Sequence, residues 1–188
     1  MAEHVCPWWV GYLLVSPLRS LFQKPERMLG AYVQEGMTVL DAGCAMGFFS
    51  LPLARMVGEK GRIICVDMQE RMIRSLENRA KKAGLLDRIE TRVCSPTGLE
   101  LTDLEGEVDF AMAFAVVHET RDPAAFLSQI HGALAPGGHL FVAEPSGHVS
   151  EDAFGKTVLA AEACGFASAE RPEIRRSLSV LLQKLPSG

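Results

Sequence analysis

Residues 39 to 67 read VLDAGCAMGFFSLPLARMVGEKGRIICVD: a strand, a turn rich in small residues, a helix, and a second strand that ends in a carboxylate. The apolar run Met37 to Leu40 stops at Asp41, and Ala42, Gly43, Ala45 and Gly47 follow it. Small residues let the backbone turn sharply and approach a ligand with no side chain in the way. The turn leads into a helix, whose N-terminal amides attract a carboxylate or phosphate. Asp67 stands where Ile63 to Val66 runs out, twenty positions after Gly47, placed to accept hydrogen bonds from both hydroxyls of a ribose. The pattern predicts a site for an adenosine-containing ligand.

A dinucleotide-binding dehydrogenase would carry GxGxxG. Here Asp41 lies two positions before Gly43, with Ala45 and Gly47 at the next two spacings. DAGCAMG thus resembles motif I, (D/E)xGxGxG, of the class I S-adenosylmethionine-dependent methyltransferases, with Ala45 at its central glycine. The added methyl fits if Ala45 has φ below zero, and it narrows the floor beneath the methionine part of the cofactor. The resemblance implies that Asp41, Gly43, Cys44, Ala45, Gly47 and Phe48 bind S-adenosyl-L-methionine, with Asp41 and Gly43 lining its methionyl end. It further implies that Asp67 holds the ribose, with Met68 against the adenine face, where a polarizable thioether suits it.

The likeness continues from about residue 36 to 185. Ile89 to Val93 reads as a third strand, and CSPTGL follows where the family has GDxxxL, so Ser95 takes the position that meets the adenine amine. A hydroxyl is a weaker acceptor there than a carboxylate. VDFAMAFAVVHE (108 to 119) resembles the fourth strand, with Phe114 at the cofactor, and PGGHLFVAEP (136 to 145) matches the glycine turn and fifth strand. The run from VVHE to EPSGHVS is similar to small methyltransferases of the arsenite and ubiquinone or menaquinone group.

At 188 residues the chain suits one buried domain. Hydrophobic residues make up 48% and charged ones 22%, which excludes a disordered chain. The net charge is −4 and the pI 5.7, so there is no basic footprint for nucleic acid. The cysteines at 6, 44, 65, 94 and 164 form no CxxC pair, which fits a reducing cytoplasm. There is no secretory leader pattern and no apolar run of membrane-spanning length.

Strands are expected near 37 to 42, 61 to 66, 88 to 93, 108 to 114 and 138 to 143, with helices between most of them. In the second helix Met72, Ile73, Leu76, Ala80 and Ala83 share a face. Asp122 and Pro123 start a later helix whose stripe is Phe126, Leu127, Ile130 and Leu134. Ser150 caps another that ends near Gly165. Segment 166 to 184 lacks a helix-length connection and predicts an antiparallel hairpin. The fold class is α/β: a doubly wound, mostly parallel seven-stranded sheet with an antiparallel last strand and helices on both faces, as in the Rossmann-like methyltransferases. Residues 36 to 188 form the catalytic domain. Residues 1 to 35 form a helical lid or packing segment, whose Trp8, Trp9, Tyr12, Leu13 and Leu14 cover an apolar acceptor, pack on the sheet edge, make a homodimer contact or touch a membrane surface.

The catalytic candidates are His118 and Glu119, just after the fourth strand. His118 either takes a proton near neutral pH or is satisfied by backbone and holds its loop. Glu119 either orients His118 or serves the next helix as an N-terminal acid. Glu144 and His148 form a second polar pair, for binding an acceptor or for a turn and cap. Convergence of Cys6, Cys44 and Cys94 on a soft ion competes with the simpler reading of Cys65 and Cys164 as small buried hydrophobes and Cys44 as loop filler; no metal site is assigned. AFAVVHE is unlike the (N/D)PPY of amine methylators, and no PC pair suits cytosine C5 chemistry. The expectation is in-line methyl transfer to a small molecule. The alternatives are a non-catalytic S-adenosylmethionine-binding module acting through a protein partner and, against the motif spacing, a nicotinamide dehydrogenase.

Overall fold

A computed structural model describes residues 23–185, so the aromatic segment with Trp8, Trp9 and Cys6 lies outside the described residues. The chain divides into two compact units, Met1–Cys94 and Ser95–Gly188. The described residues hold the seven strands of a mostly parallel, mixed α/β fold whose last strand runs antiparallel.

In the first unit a short helix α1 (Pro25–Leu29) precedes β1 (Thr38–Ala42), α2 (Ser50–Met56), β2 (Arg62–Asp67), α3 (Glu70–Ala83) and β3 (Ile89–Val93). The strand order is β3-β2-β1, all parallel, with Asp41 opposite Cys65. Residues 63 to 66 of β2 are buried without alternation, as expected of a parallel strand covered on both faces. On α3, Met72, Ile73, Leu76 and Ala80 are buried as the periodicity predicts, whereas Ala83 is exposed. The helix stops there because Gly84 adopts the left-handed conformation, and Leu85, bonded back to the Ala80 carbonyl at 3.0 Å, buries its side chain instead.

The second unit runs β4 (Val108–Phe114), α4 (Pro123–Ala133), β5 (Leu134–Pro145), α5 (Glu151–Ala163), β6 (Phe166–Glu170) and β7 (Ser177–Lys184), ordered β4-β5-β7-β6. The predicted hairpin is present, and β7 inserts antiparallel between β5 and β6. Asp122 caps α4 by accepting from the Ala125 amide at 3.0 Å, ahead of Pro123, and Ser150 caps α5 in the same way. Leu134 is buried but does not belong to the α4 stripe; it opens β5. That strand is longer than the expected 138 to 143, because Pro136 to Gly138 form an irregularity inside it, between the pairings Val108 with Leu134 and Phe110 with His139.

Candidate functional site

In the first unit the chain leaves β1 through an elbow in which Gly43, Ala45 and Gly47 all have positive φ, at 81°, 47° and 78°. The condition of negative φ under which the Ala45 methyl would fit without strain is not met. A left-handed conformation costs an L-residue about 1–2 kcal/mol, and local hydrogen bonds hold it here. The amides of Gly43 and Cys44 both donate to the Val66 carbonyl, at 2.8 and 3.0 Å, which stitches the elbow to the end of β2. The Ala45 amide donates to Asp67 Oδ2 at 2.9 Å, and Oδ1 accepts from the Gln69 amide at 2.8 Å. Burial pushes the Asp67 carboxyl above its ordinary range, and those two amides pull it back down. At Gly47, with φ 78°, an added Cβ would lie 2.2 Å from Leu76 Cδ1, so both its conformation and its contact with that buried leucine favour glycine.

Asp41 is 2% exposed, and the Ser50 hydroxyl at the start of α2 donates to its Oδ2 at 2.6 Å. The Arg79 guanidinium, from α3, donates to the Met46 carbonyl and ties the elbow down from a third side. Phe48 stands edge-on to Phe49 with ring centroids 5.0 Å apart. Met68 is 39% exposed, just past the β2 end. Cys44 is buried; burial, then a hydrogen bond with Cys65, raises its thiol well above the ordinary range. A protonated thiol beside Cys65 is a poor soft-ion ligand. Among the described residues no group of three or more His, Cys, Asp or Glu is arranged to hold a metal ion. Cys164 is half-buried rather than buried, its thiol donating to the Ala124 carbonyl at 3.6 Å.

In the second unit Ser95 is exposed and closes a small turn, its amide donating to the Gly98 carbonyl at 3.0 Å. Phe114, half-buried, ends β4, and Ala115 then turns at φ 57° with its amide on the Ala143 carbonyl at 2.7 Å. A single 3-10 turn, Val117–Glu119, carries His118. The carboxylate hydrogen-bonded to this histidine is Glu144, from β5. Glu144 Oε2 lies 2.5 Å from His118 Nδ1, and Oε1 accepts the His118 backbone amide at 3.2 Å. Glu144 is 1% exposed, and the His118 side chain 27%. The Glu144 hydrogen bond raises the His118 pKa; partial burial opposes it, while the charges of Glu144 and Glu119 add to it. The His148 ring lies 6.5 Å from that of His118, so the two polar pairs expected from the sequence form one cluster.

The sequence reading missed the bond between His118 and Glu144 because the partners lie 26 residues apart, with no spacing rule between them. The available signal was an acid ending the apolar run Phe141 to Ala143, since a buried carboxylate requires a partner. Also unforeseen is a cavity of about 550 Å³ bounded by Phe154 of α5, by Arg171, Ile174 and Arg175 of the β6–β7 connection, and by Ser177 and Leu178. On β7, Ser177 and Leu178 pair with Pro145 and Glu144.

The first unit suits the cofactor that the sequence motif implies. Its elbow presents backbone rather than side chains, and Asp67 keeps acceptor capacity beyond the two amides it already satisfies. Residues 33–176 match the model of a methyltransferase domain. The chain is 34% identical over 147 residues to a ribosomal protein L11 methyltransferase of Pelotomaculum thermopropionicum, covering 78% of this chain and 44% of that one. It is 33% identical over 109 residues to a ubiquinone biosynthesis O-methyltransferase of Caulobacter vibrioides, covering 58% and 41%. The chain thus spans less than half the length of these curated relatives. Among solved structures, a SAM-dependent methyltransferase from Aquifex aeolicus superposes with a TM-score of 0.87 at 25% identity, over 96% of this chain and 100% of that one. With the motif, the elbow and the family model in agreement, the chain belongs to the class I S-adenosylmethionine-dependent methyltransferases.

Proposed function

We propose that this protein transfers the methyl group of S-adenosylmethionine to a small-molecule acceptor. The observation that carries the reading is the elbow: three positive-φ residues, of which Gly43 is held by Val66 and Ala45 by Asp67, with an added Cβ at Gly47 meeting Leu76. When bound, the cofactor supplies an electrophilic methyl group on a sulfonium whose leaving group departs neutral. Asp67 accepts from the ribose hydroxyls, Asp41 and Gly43 line the methionyl end, and Met68 lies against the adenine face. Alignment is the chief demand on such a reaction, and orientation alone is worth up to about 7–11 kcal/mol. His118 receives the acceptor's proton where one must leave.

Support for a small acceptor comes from the net charge of −4, which offers no polyanion footprint, and from a cavity of about 550 Å³, within the usual range for small ligands. Likeness to the ubiquinone biosynthesis enzyme points the same way, while likeness to the L11 methyltransferase names the competing class, a protein acceptor. Among the described residues no helix is long and apolar enough to cross a membrane.

The test is calorimetry with S-adenosylmethionine and S-adenosylhomocysteine, on the wild type and on Asp67→Ala, followed by transfer of a radiolabelled methyl group into a metabolite extract or purified ribosomal proteins. The expected result is micromolar binding that weakens at least tenfold in the variant, with label in the small-molecule fraction. Absence of binding overturns the family role. Label only in protein overturns the acceptor class, and binding with no transfer to either fraction supports a non-catalytic module.

A further inference from the structure

We propose that Glu144 is a positioning residue that holds His118 as a proton acceptor, and that the methyl acceptor is therefore a hydroxyl compound whose oxygen gives up its proton during transfer. This rests on the methyl-transfer reading and names the acceptor chemistry within it. Glu144 closes the apolar run Phe141, Val142 and Ala143, each fully buried, and is itself 1% exposed. A carboxylate so placed costs several kcal/mol unless its charge is compensated. Both of its oxygens meet one residue: Oε1 the backbone amide of His118 and Oε2 the ring at Nδ1. An ionised carboxylate can only accept, so Glu144 selects the tautomer with the proton on Nδ1. Nε2, on the opposite side of the ring, is the nitrogen left to exchange a proton, and the side chain is partly open to solvent.

A fold that builds this pair at a strand end has provided for a proton to be removed. A carboxylate acceptor is already ionised at neutral pH, and a neutral amine attacks with its free pair and sheds its proton afterwards. A phenolic or enolic hydroxyl, with a pKa near that of tyrosine at about 10, keeps its proton and needs a base. In the step, the O–H bond breaks as its proton passes to Nε2. The oxygen pair forms the new O–C bond while the C–S bond breaks, its electrons staying on sulfur. His118 is then an imidazolium bound to Glu144, and it returns the proton to water. The division of labour is that of a histidine base steadied by a buried carboxylate. The titratable groups that face His118 are Glu144, Glu119 and, across from the ring, His148; the first two turns of α4, residues 123 to 129, contain none.

The test combines a titration that needs no acceptor with an assay that does. Nitrogen-15 NMR of the histidine rings, with His118→Asn for assignment, should show the neutral ring protonated on Nδ1 and titrating above ordinary histidines. Glu144→Gln should move that titration down, and Glu119→Gln should move it less. Glu144→Asp, too short to keep both contacts, should fall between wild type and Glu144→Gln, and serves if Glu144→Gln does not fold. With radiolabelled cofactor and catechol, aniline, benzoate and thiophenol as probes, methyl should pass to the hydroxyl alone. His118→Asn should lower kcat about 100-fold, the usual worth of a general base. Glu144→Gln should lower it about tenfold, with the acid limb of the pH profile moved to lower pH.

A ring protonated on Nε2, or a titration indifferent to Glu144, overturns the positioning role. Transfer to aniline, benzoate or thiophenol in preference to catechol, or to none of the four, overturns the acceptor class. Failure of the wild type to bind cofactor would overturn only the methyl-transfer reading, and the ring titration would still decide the pair.

Discussion

The elbow after β1 and the cluster around His118 are assembled by opposite means. The elbow is made of backbone: its shape comes from three residues with positive φ within five positions, and its ties run to the adjacent parallel strand's last residues, Val66 and Asp67. The cluster is made of side chains brought from β5 and from a 3-10 turn 26 residues earlier. Backbone sites depend on which side chains are absent, so they are sensitive to addition; side-chain sites depend on charge, so they answer to pH. Each region is therefore vulnerable to a different kind of change.

The largest effect is expected from adding one methyl group to the elbow. Gly47→Ala places a Cβ 2.2 Å from Leu76 Cδ1, on α3, at a φ of 78°. Overpacking and left-handed strain together should cost about 3 kcal/mol of stability. Cofactor affinity should fall as well, because Leu76 is fully buried and the elbow shifts to relieve the clash. Urea unfolding and calorimetry on the same preparation would check both. A variant with wild-type stability would show that Leu76 swings aside and that the elbow is less tightly specified than its geometry indicates.

The second effect separates the regions by pH. Because the folded His118 pKa is raised by Glu144, the pair's contribution is fully present below the unfolded value of about 6.5 and is lost as pH rises through the folded value. A hydrogen bond to a charged group is worth about 2 kcal/mol. The stability difference between wild type and His118→Asn should therefore shrink as pH rises from about 6.5 through the folded value. Gly47→Ala, which touches no titrating group, should show a constant deficit over the same range. Equal pH dependence in the two variants would break the contrast between a backbone site and a charge site.

The same contrast explains what could be read from the sequence. The order of strands and helices, the caps at Asp122 and Ser150, and the elbow itself are written in contiguous residues, where spacing and turn chemistry act locally. The final hairpin followed from a missing helix-length connection. What could not be read was nonlocal. Ala83 looked like part of a stripe until Gly84 ended the helix and Leu85 took its place. Leu134 looked helical until its pairing with Val108 drew it into β5. Glu119 stood next to His118 in the chain, while Glu144 stood next to it in space. Burial decides such partnerships, and one sequence reports burial only as an average over a face.

Ala45 is the smallest test and the one that asks most about the elbow. It occupies the motif's central glycine position at φ 47°, where an alanine is strained, yet its amide is held by Asp67 at 2.9 Å. Ala45→Gly removes the strain but adds backbone freedom to the unfolded chain, so the net gain should be about 1 kcal/mol at most. If the strain is local, Asp67 keeps its bond to that amide and cofactor affinity rises or holds, because the floor beneath the methionyl end loses a methyl group. If the alanine instead stiffens the elbow into its binding shape, affinity should drop even as stability rises. Paired thermal unfolding and calorimetry distinguish the two. Opposite signs would mean that this elbow is preorganised by the residue that strains it, and that the motif's glycine is replaceable where a carboxylate fixes the neighbouring amide.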